Sequence, residues 1–293
     1  MTRVAHFILA LILLSSAQPA PAAEVSDIQT VAPDLTVPAM TTGAPAAGRR
    51  VRMTLDAYRG TEVHHALYLP TDWRADRRFP VIVEYAGNGA YTNAYGDVCD
   101  GTVESSKLGY GASGGKGFIW VCAPYVSPDH RRNQTTWWGD VEATVGYCTG
   151  AVAEVCARYG GDPKAVFLAG FSRGAIACNY IGLHSDAIAP LWRGFICHSH
   201  YDGVRTWGYA ADDRASAAAR LARLNGRPQF ISHEGGALTD TQAYLRQACP
   251  SGRFAFVPLP YRNHTDAWVL RDIPERAALR AWLAEALKPT PCP

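Results

Sequence analysis

The sequence predicts an α/β protein, a mostly parallel sheet with helices on both faces, from three observations. Eight short apolar runs of β-forming residues are spread between Val51 and Leu259. From the fourth onward they alternate with stretches of helical periodicity, as the crossovers between parallel strands require. One run, Ala165 to Leu168, passes through Gly170-Phe171-Ser172-Arg173-Gly174 directly into a helical pattern, which reads as strand, sharp turn and helix.

The chain opens with Thr2 and Arg3, an apolar run from Val4 to Leu14, and small residues ending in Ala20-Pro21-Ala22-Ala23. That pattern is a secretory signal peptide over residues 1–23, cleaved near Ala22 or Ala23, because the apolar run is too short to span a bilayer. A secreted or periplasmic location is expected. Residues 24–50, rich in Ala, Pro and Thr, read as an exposed lead-in, and residues 51–293 as one domain large enough to bury a sizeable core. Strands are expected at Val51 to Leu55, Glu62 to Leu69, Pro80 to Tyr85, Gly117 to Cys122, Ala165 to Leu168, Gly194 to Cys197, Pro228 to Ser232 and Phe254 to Leu259. The first two form a hairpin. A helix after Trp138 places Val141, Val145, Cys148, Val152 and Val155 on one face. The last helix does the same with Leu279, Trp282, Leu283, Ala286 and Leu287, with Asp272 as its cap and Glu275 three residues on.

Net charge is +2, and no basic block exists to bind phosphates, so neither a nucleic acid nor an anionic membrane is expected as partner. Oligomeric state is not legible. Eight cysteines in an exported chain suggest disulfides. Cys148 and Cys156 on one helix stand too far apart to pair, Cys249 with Cys292 is one possible bridge, and Cys122 and Cys197 in apolar strands are equally readable as buried thiols. There is no CxxC spacing for a structural zinc site.

The turn at Ser172 carries the chemistry. A serine between a strand and a helix, with glycines two residues to either side, is pushed out of the sheet as a nucleophile. With this motif in its context, the chain from about Val51 to Leu287 resembles the α/β-hydrolases, which implies a mostly parallel sheet, here eight-stranded, under helices on both faces. Gly160-Gly161-Asp162-Pro163, leading into the nucleophile strand, is similar to secreted esterases of the polyhydroxybutyrate-depolymerase and feruloyl-esterase type. Arg173 departs from the residue that family usually carries after the serine.

The resemblance implies a triad in the order Ser, acid, His. The base is then His264, after the last strand, and the acid follows Pro228 to Ser232. Glu234 directly at the strand end is favoured, with Asp240 at a helix start and Asp202 after the preceding strand as alternatives. Oxyanion donors are expected from the amide of Arg173 and from Asn88 or Gly89 in Ala86-Gly87-Asn88-Gly89. Trp137, Trp138 and Trp268 are candidates for an aromatic wall, with Tyr91, Tyr95 and the rim histidines His198 and His200 as further candidates for substrate contact.

The expected function is hydrolysis of a small-molecule or polymeric carboxylic ester, without a cofactor. Two rival readings remain: a metal-dependent hydrolase using His198, His200 and Asp202, and a non-catalytic binding protein on a hydrolase scaffold. Gly109 to Gly114 fits GxGxxG but precedes a strand instead of linking strand to helix, so it reads as a flexible approach loop, not a dinucleotide site.

Overall fold

The structure is a computed structural model that describes residues 25–289. The signal peptide and Cys292 lie outside the described residues. Nine strands form one sheet in the order β1-β2-β3-β7-β4-β8-β9-β10-β11. They are β1 Met40–Thr41, β2 Arg50–Met53, β3 His65–Tyr68, β4 Phe79–Tyr85, β7 Ile119–Ala123, β8 Gly161–Phe171, β9 Gly194–His198, β10 Gln229–Glu234 and β11 Phe254–Leu259. Strands β7, β4, β8, β9, β10 and β11 run parallel, while β3 is antiparallel to both β2 and β7. A two-stranded ribbon, β5 Tyr91–Thr92 with β6 Val98–Cys99, stands apart. The ninth sheet strand, β1, and the ribbon are additions to the eight expected strands. At two residues each they are too short to leave a periodic signal.

Alternation along the central strands divides the core into two layers. Val81, Val83, Val166 and Leu168 face one side with Val145, Cys148, Val152 and Ile176, from helices α2 (Val141–Arg158) and α3 (Arg173–Tyr180). Ile82, Phe167 and Ala169 face the other with Leu108 and Ala112 of α1 (Leu108–Ser113) and Leu279 and Leu283 of α6 (Pro274–Ala286). Helices α4 (Arg214–Leu221) and α5 (Leu238–Ala248) complete the crossovers beyond β9 and β10.

Three expectations change. The GxGxxG segment is not a flexible loop: it is α1, whose Gly109 is glycine because a Cβ there would stand 2.2 Å from the Trp120 indole. The N-terminus of α1 is held by Glu84 of β4, a buried carboxylate accepting from the amides of Lys107, Leu108 and Gly109 and from Trp120 Nε1. Asp272 does not cap α6, which begins at Pro274 after Ile273 with no side-chain cap; Asp272 instead pairs with Arg276 at 3.0 Å. The fixed φ of proline serves the first turn in place of a cap.

The lead-in is tethered. Ile28 is buried and its amide donates to Asn263 Oδ1 (2.8 Å), Gln29 Nε2 donates to the Tyr95 carbonyl (2.7 Å), and Asp34 receives both terminal nitrogens of Arg276. Finally, all seven described cysteines are free thiols. Cys122 and Cys197 lie on strands and Cys148 and Cys178 on helices, buried as small apolar side chains, and burial pushes the Cys122 and Cys148 thiols up to about 12.

Candidate active site

Strand β8 runs between β4 and β9 and ends where Ser172 takes φ +54°, a left-handed turn between the strand and α3. The turn is so tight that a Cβ on Gly170 would lie 2.0 Å from the Gly174 carbonyl oxygen, and one on Gly174 would lie 2.0 Å from that of Tyr85. The Ser172 amide donates to the His198 carbonyl of β9 (2.9 Å), which fixes the turn against the sheet.

Three loops at the carboxyl ends of parallel strands meet there. His264, after β11, lies with Nε2 3.0 Å from Ser172 Oγ, and its Nδ1 lies 2.5 Å from Oε1 of Glu234 at the end of β10. Of the three acids weighed, the structure therefore brings Glu234 to the imidazole. Burial alone would push the Glu234 carboxyl up, but the hydrogen bond from His264 and the neighbouring His198, His264 and His233 outweigh it and hold it well below the usual carboxylate range. Asp240 is exposed in the first turn of α5. Asp202 is buried in a two-point ion pair with Arg220 (2.8 and 3.0 Å).

That pairing also separates the members of the suggested metal cluster. His198 is fully buried, with Nδ1 3.0 Å from Ser232 Oγ and Nε2 3.0 Å from the Thr265 carbonyl, so both ring nitrogens are already partnered. Burial holds its pKa down to about 4. His200 does lie at the site, its ring 5.2 Å from that of His264 and 5.0 Å from Trp207, and burial followed by the nearby His264 and His233 lowers its pKa to about 3. Among the described residues no group of three or more His, Cys, Asp or Glu is arranged to hold a metal ion.

The two oxyanion candidates divide. Arg173 is the first residue of α3, so its amide has no acceptor within the helix. Gly89 is excluded as second donor because its amide is bonded to the Thr135 carbonyl (2.8 Å), whereas the amide of Asn88 donates to no group among the described residues. The Asn88 side chain accepts from the Trp137 amide (2.8 Å) and so ties the two loops together.

Of the aromatic candidates, Trp138 is a core residue, stacked on Tyr180 at 4.6 Å, and Trp268 is buried against His198. Trp137 is only half-buried, with φ +52°, and groups with Trp207 and Tyr209. The Tyr91 and His264 rings meet edge to face with their centres 4.9 Å apart. Tyr95 is largely exposed beneath the Arg262 guanidinium.

Two residues that sequence reasoning passed over belong to the site. Ser199, buried and at φ +88°, donates to Glu234 with Oγ 2.7 and 2.8 Å from the two carboxylate oxygens and 2.7 Å from His264 Nδ1. The signal was register: β9 and β10 pair His198 with Ser232, so the residue after His198 falls beside the strand end that carries Glu234. Asp97, in the ribbon, accepts from the His264 amide (2.9 Å) and from Asn263 Nδ2 (3.0 Å), clasping the histidine loop. No local pattern marks it. A cavity of about 660 Å³ lined by Lys164, Trp192, Arg227 and Arg253 lies at the opposite ends of the strands and touches none of these groups.

No protein-family model matches the chain, and no curated protein matches it. Solved structures do. A thermostable esterase superposes with a TM-score of 0.53 at 14% identity over 80% of this chain, which spans 62% of that esterase's length. A fungal esterase from Rhizomucor miehei gives 0.55 at 14% identity, covering 81% of this chain and 82% of its own. An S-formylglutathione hydrolase from Agrobacterium tumefaciens gives 0.55 at 14% identity over 84% and 98%. At such identities the likeness establishes the fold. This is an α/β-hydrolase fold, with a serine, a histidine and a glutamate hydrogen-bonded in line at the carboxyl ends of its strands.

Proposed function

We propose that the protein is an exported serine hydrolase acting on carboxylic esters. The observation that carries the reading is the continuous line Ser172 Oγ, His264, Glu234, with the serine held on a strained left-handed turn. In this mechanism Ser172 donates its proton to His264 Nε2 as Oγ attacks the ester carbonyl. Glu234 accepts from Nδ1–H, which fixes the tautomer and stabilises the imidazolium. The negative oxygen of the tetrahedral intermediate is received by the amides of Arg173 and Asn88. His264 returns the proton to the leaving alkoxide, leaving an acyl-serine, and then activates water to release the acid and restore Ser172.

No cofactor enters these steps. The substrate is a small-molecule or polymeric carboxylic ester, with His200 flanking the reacting groups. Export rests on the leader pattern of residues 1–23.

The test is mass spectrometry of the purified protein after treatment with a fluorophosphonate, beside turnover of 4-nitrophenyl acetate with and without EDTA. A single adduct on Ser172, with turnover indifferent to EDTA and lost in S172A and H264A, is the expected result. Esterase activity that survives both substitutions, or that EDTA abolishes, would overturn the assignment.

A further inference from the structure

The side chain of Arg173 is not used in the mechanism above, yet it is buried directly behind the oxyanion donors. Its Nη2 donates to the Gly87 carbonyl at 2.8 Å and to the Gly101 carbonyl at 3.4 Å, and its Nη1 to the Trp137 carbonyl at 2.5 Å. The guanidinium lies 3.9 Å from the centre of the Tyr125 ring, and Tyr125 in turn donates to the Ala86 carbonyl. Arg173 is 1% exposed and makes no ion pair with a carboxylate among the described residues. A buried cation compensated only by carbonyl dipoles and a π face is a costly arrangement for a stable core. Costly local arrangements of this kind concentrate at functional sites.

The peptide joining Gly87 to Asn88 explains what it does. The carbonyl of that unit accepts from Arg173, and the N–H of the same unit is the free amide assigned to the oxyanion. A hydrogen bond from a cation to the carbonyl end of a peptide polarises it and strengthens the donor at its other end. We infer that Arg173 is a positioning and polarising residue of the oxyanion hole: its backbone amide is one donor, and its buried guanidinium fixes and charges the other through the Gly87–Asn88 peptide. By its contact with Trp137 it also holds the loop whose amide Asn88 binds, so the three segments move as one. The arginine after the serine is thus part of the catalytic electrostatics and not a contact to substrate. The inference rests on the serine-esterase reading.

The experiment compares R173Q, R173M and R173K with wild type in turnover of 4-nitrophenyl acetate and in inhibition by an alkyl trifluoromethyl ketone. The ketone is attacked by Ser172 Oγ and places a full negative charge where the intermediate's oxygen would be. Deleting an oxyanion donor outright costs about 10²- to 10³-fold in kcat. Removing the charge behind one should cost less, roughly 10- to 100-fold in R173Q and R173M, with KM changed less than about threefold. Ketone affinity should fall by the same factor as kcat. R173K keeps the charge and is expected to stay within roughly tenfold of wild type, its two losses again matched.

A loss that appears in KM, a fall in kcat with ketone affinity unchanged, or kcat unaltered in every variant would each overturn the inference. If the neutral variants do not fold, the matched losses in R173K alone decide it. Failure of the underlying reading shows itself separately, as wild-type protein that neither turns over the ester nor is labelled on Ser172.

Discussion

Removing the Ser199 hydroxyl tests whether this buried serine is a working fourth member of the catalytic line. In S199A the Glu234 carboxylate loses its hydroxyl donor and His264 Nδ1 loses a neighbour at 2.7 Å, while no group bonded to Ser172 is removed. A hydrogen bond to a charged group contributes about 1.5–3 kcal/mol. At about 1.4 kcal/mol per factor of ten, a loss felt wholly in the transition state lowers kcat/KM roughly 10- to 100-fold. Glu234→Gln should be far more damaging, about 10⁴-fold, because an amide at that position turns the imidazole to the wrong tautomer. The ordering is therefore part of the prediction. S199G provides an internal control: it removes the same hydroxyl but relieves a backbone held at φ +88°, a strain on the order of 1–3 kcal/mol. S199G should match S199A in activity and exceed it in melting temperature. Steady-state kinetics with 4-nitrophenyl acetate and thermal melts of the variants supply the readouts. If S199A and S199G both keep kcat/KM within twofold of wild type, the hydroxyl only fills space and the reasoning fails.

His198 predicts a pH effect on stability. Its folded pKa is depressed to about 4, below the unfolded value near 6.5, so the stability it contributes is present above pH 6.5 and is lost as pH falls toward 4. The loss is about 1.4 kcal/mol per pH unit, or about 3 kcal/mol over the window. Urea unfolding of wild type and H198Q should show the difference between them shrinking by about 2 kcal/mol between pH 6.5 and 5; a constant difference would refute it. Burial pushes the Glu84 carboxyl up to about 7, so above that pH Glu84→Gln should destabilise by about 1–3 kcal/mol, since all four groups facing the carboxylate are donors and the amide nitrogen must oppose one of them. Wild-type stability in E84Q by the same method would mean that α1 is anchored without that carboxylate.

What was legible in the sequence is what local patterns encode. The strand–serine–helix turn and the alternation of apolar runs with helical periodicity depend on neighbours within a few residues, whereas the order of Ser172, Glu234 and His264 was implied by the family resemblance. All eight expected strands are found within a few residues of their predicted ends, because a strand buried on both faces reads as an unbroken apolar run, as in β7. Contacts between distant segments were not legible. Asp97 reaches the His264 amide across 167 positions, and the ribbon that carries it has two-residue strands without periodicity. Composition misled in two places. The cysteines that the leader pattern suggested as bridges are free thiols among the described residues, and a glycine pattern that suggested a loop marks a helix packed tightly on Trp120. Two adjacent tryptophans give no hint of which one turns inward; Trp138 is the buried one and Trp137 takes a left-handed φ.

The tethering of the lead-in bears on when the site comes into being during synthesis. The Ile28 amide binds Asn263, the residue immediately before the histidine, across 235 positions, and Ser26 is bonded on either side of Tyr261. Loop closure over such a span has to wait for nearly the whole chain. The serine turn can form when β8 and its flanking strands are in hand. The histidine loop finds its seat only when the first and last portions of the chain meet, so on the proposed reading a nascent or truncated chain carries Ser172 without His264 beside it. Competence for catalysis is then a late product of folding, conferred by a stretch of backbone that touches none of the reacting atoms.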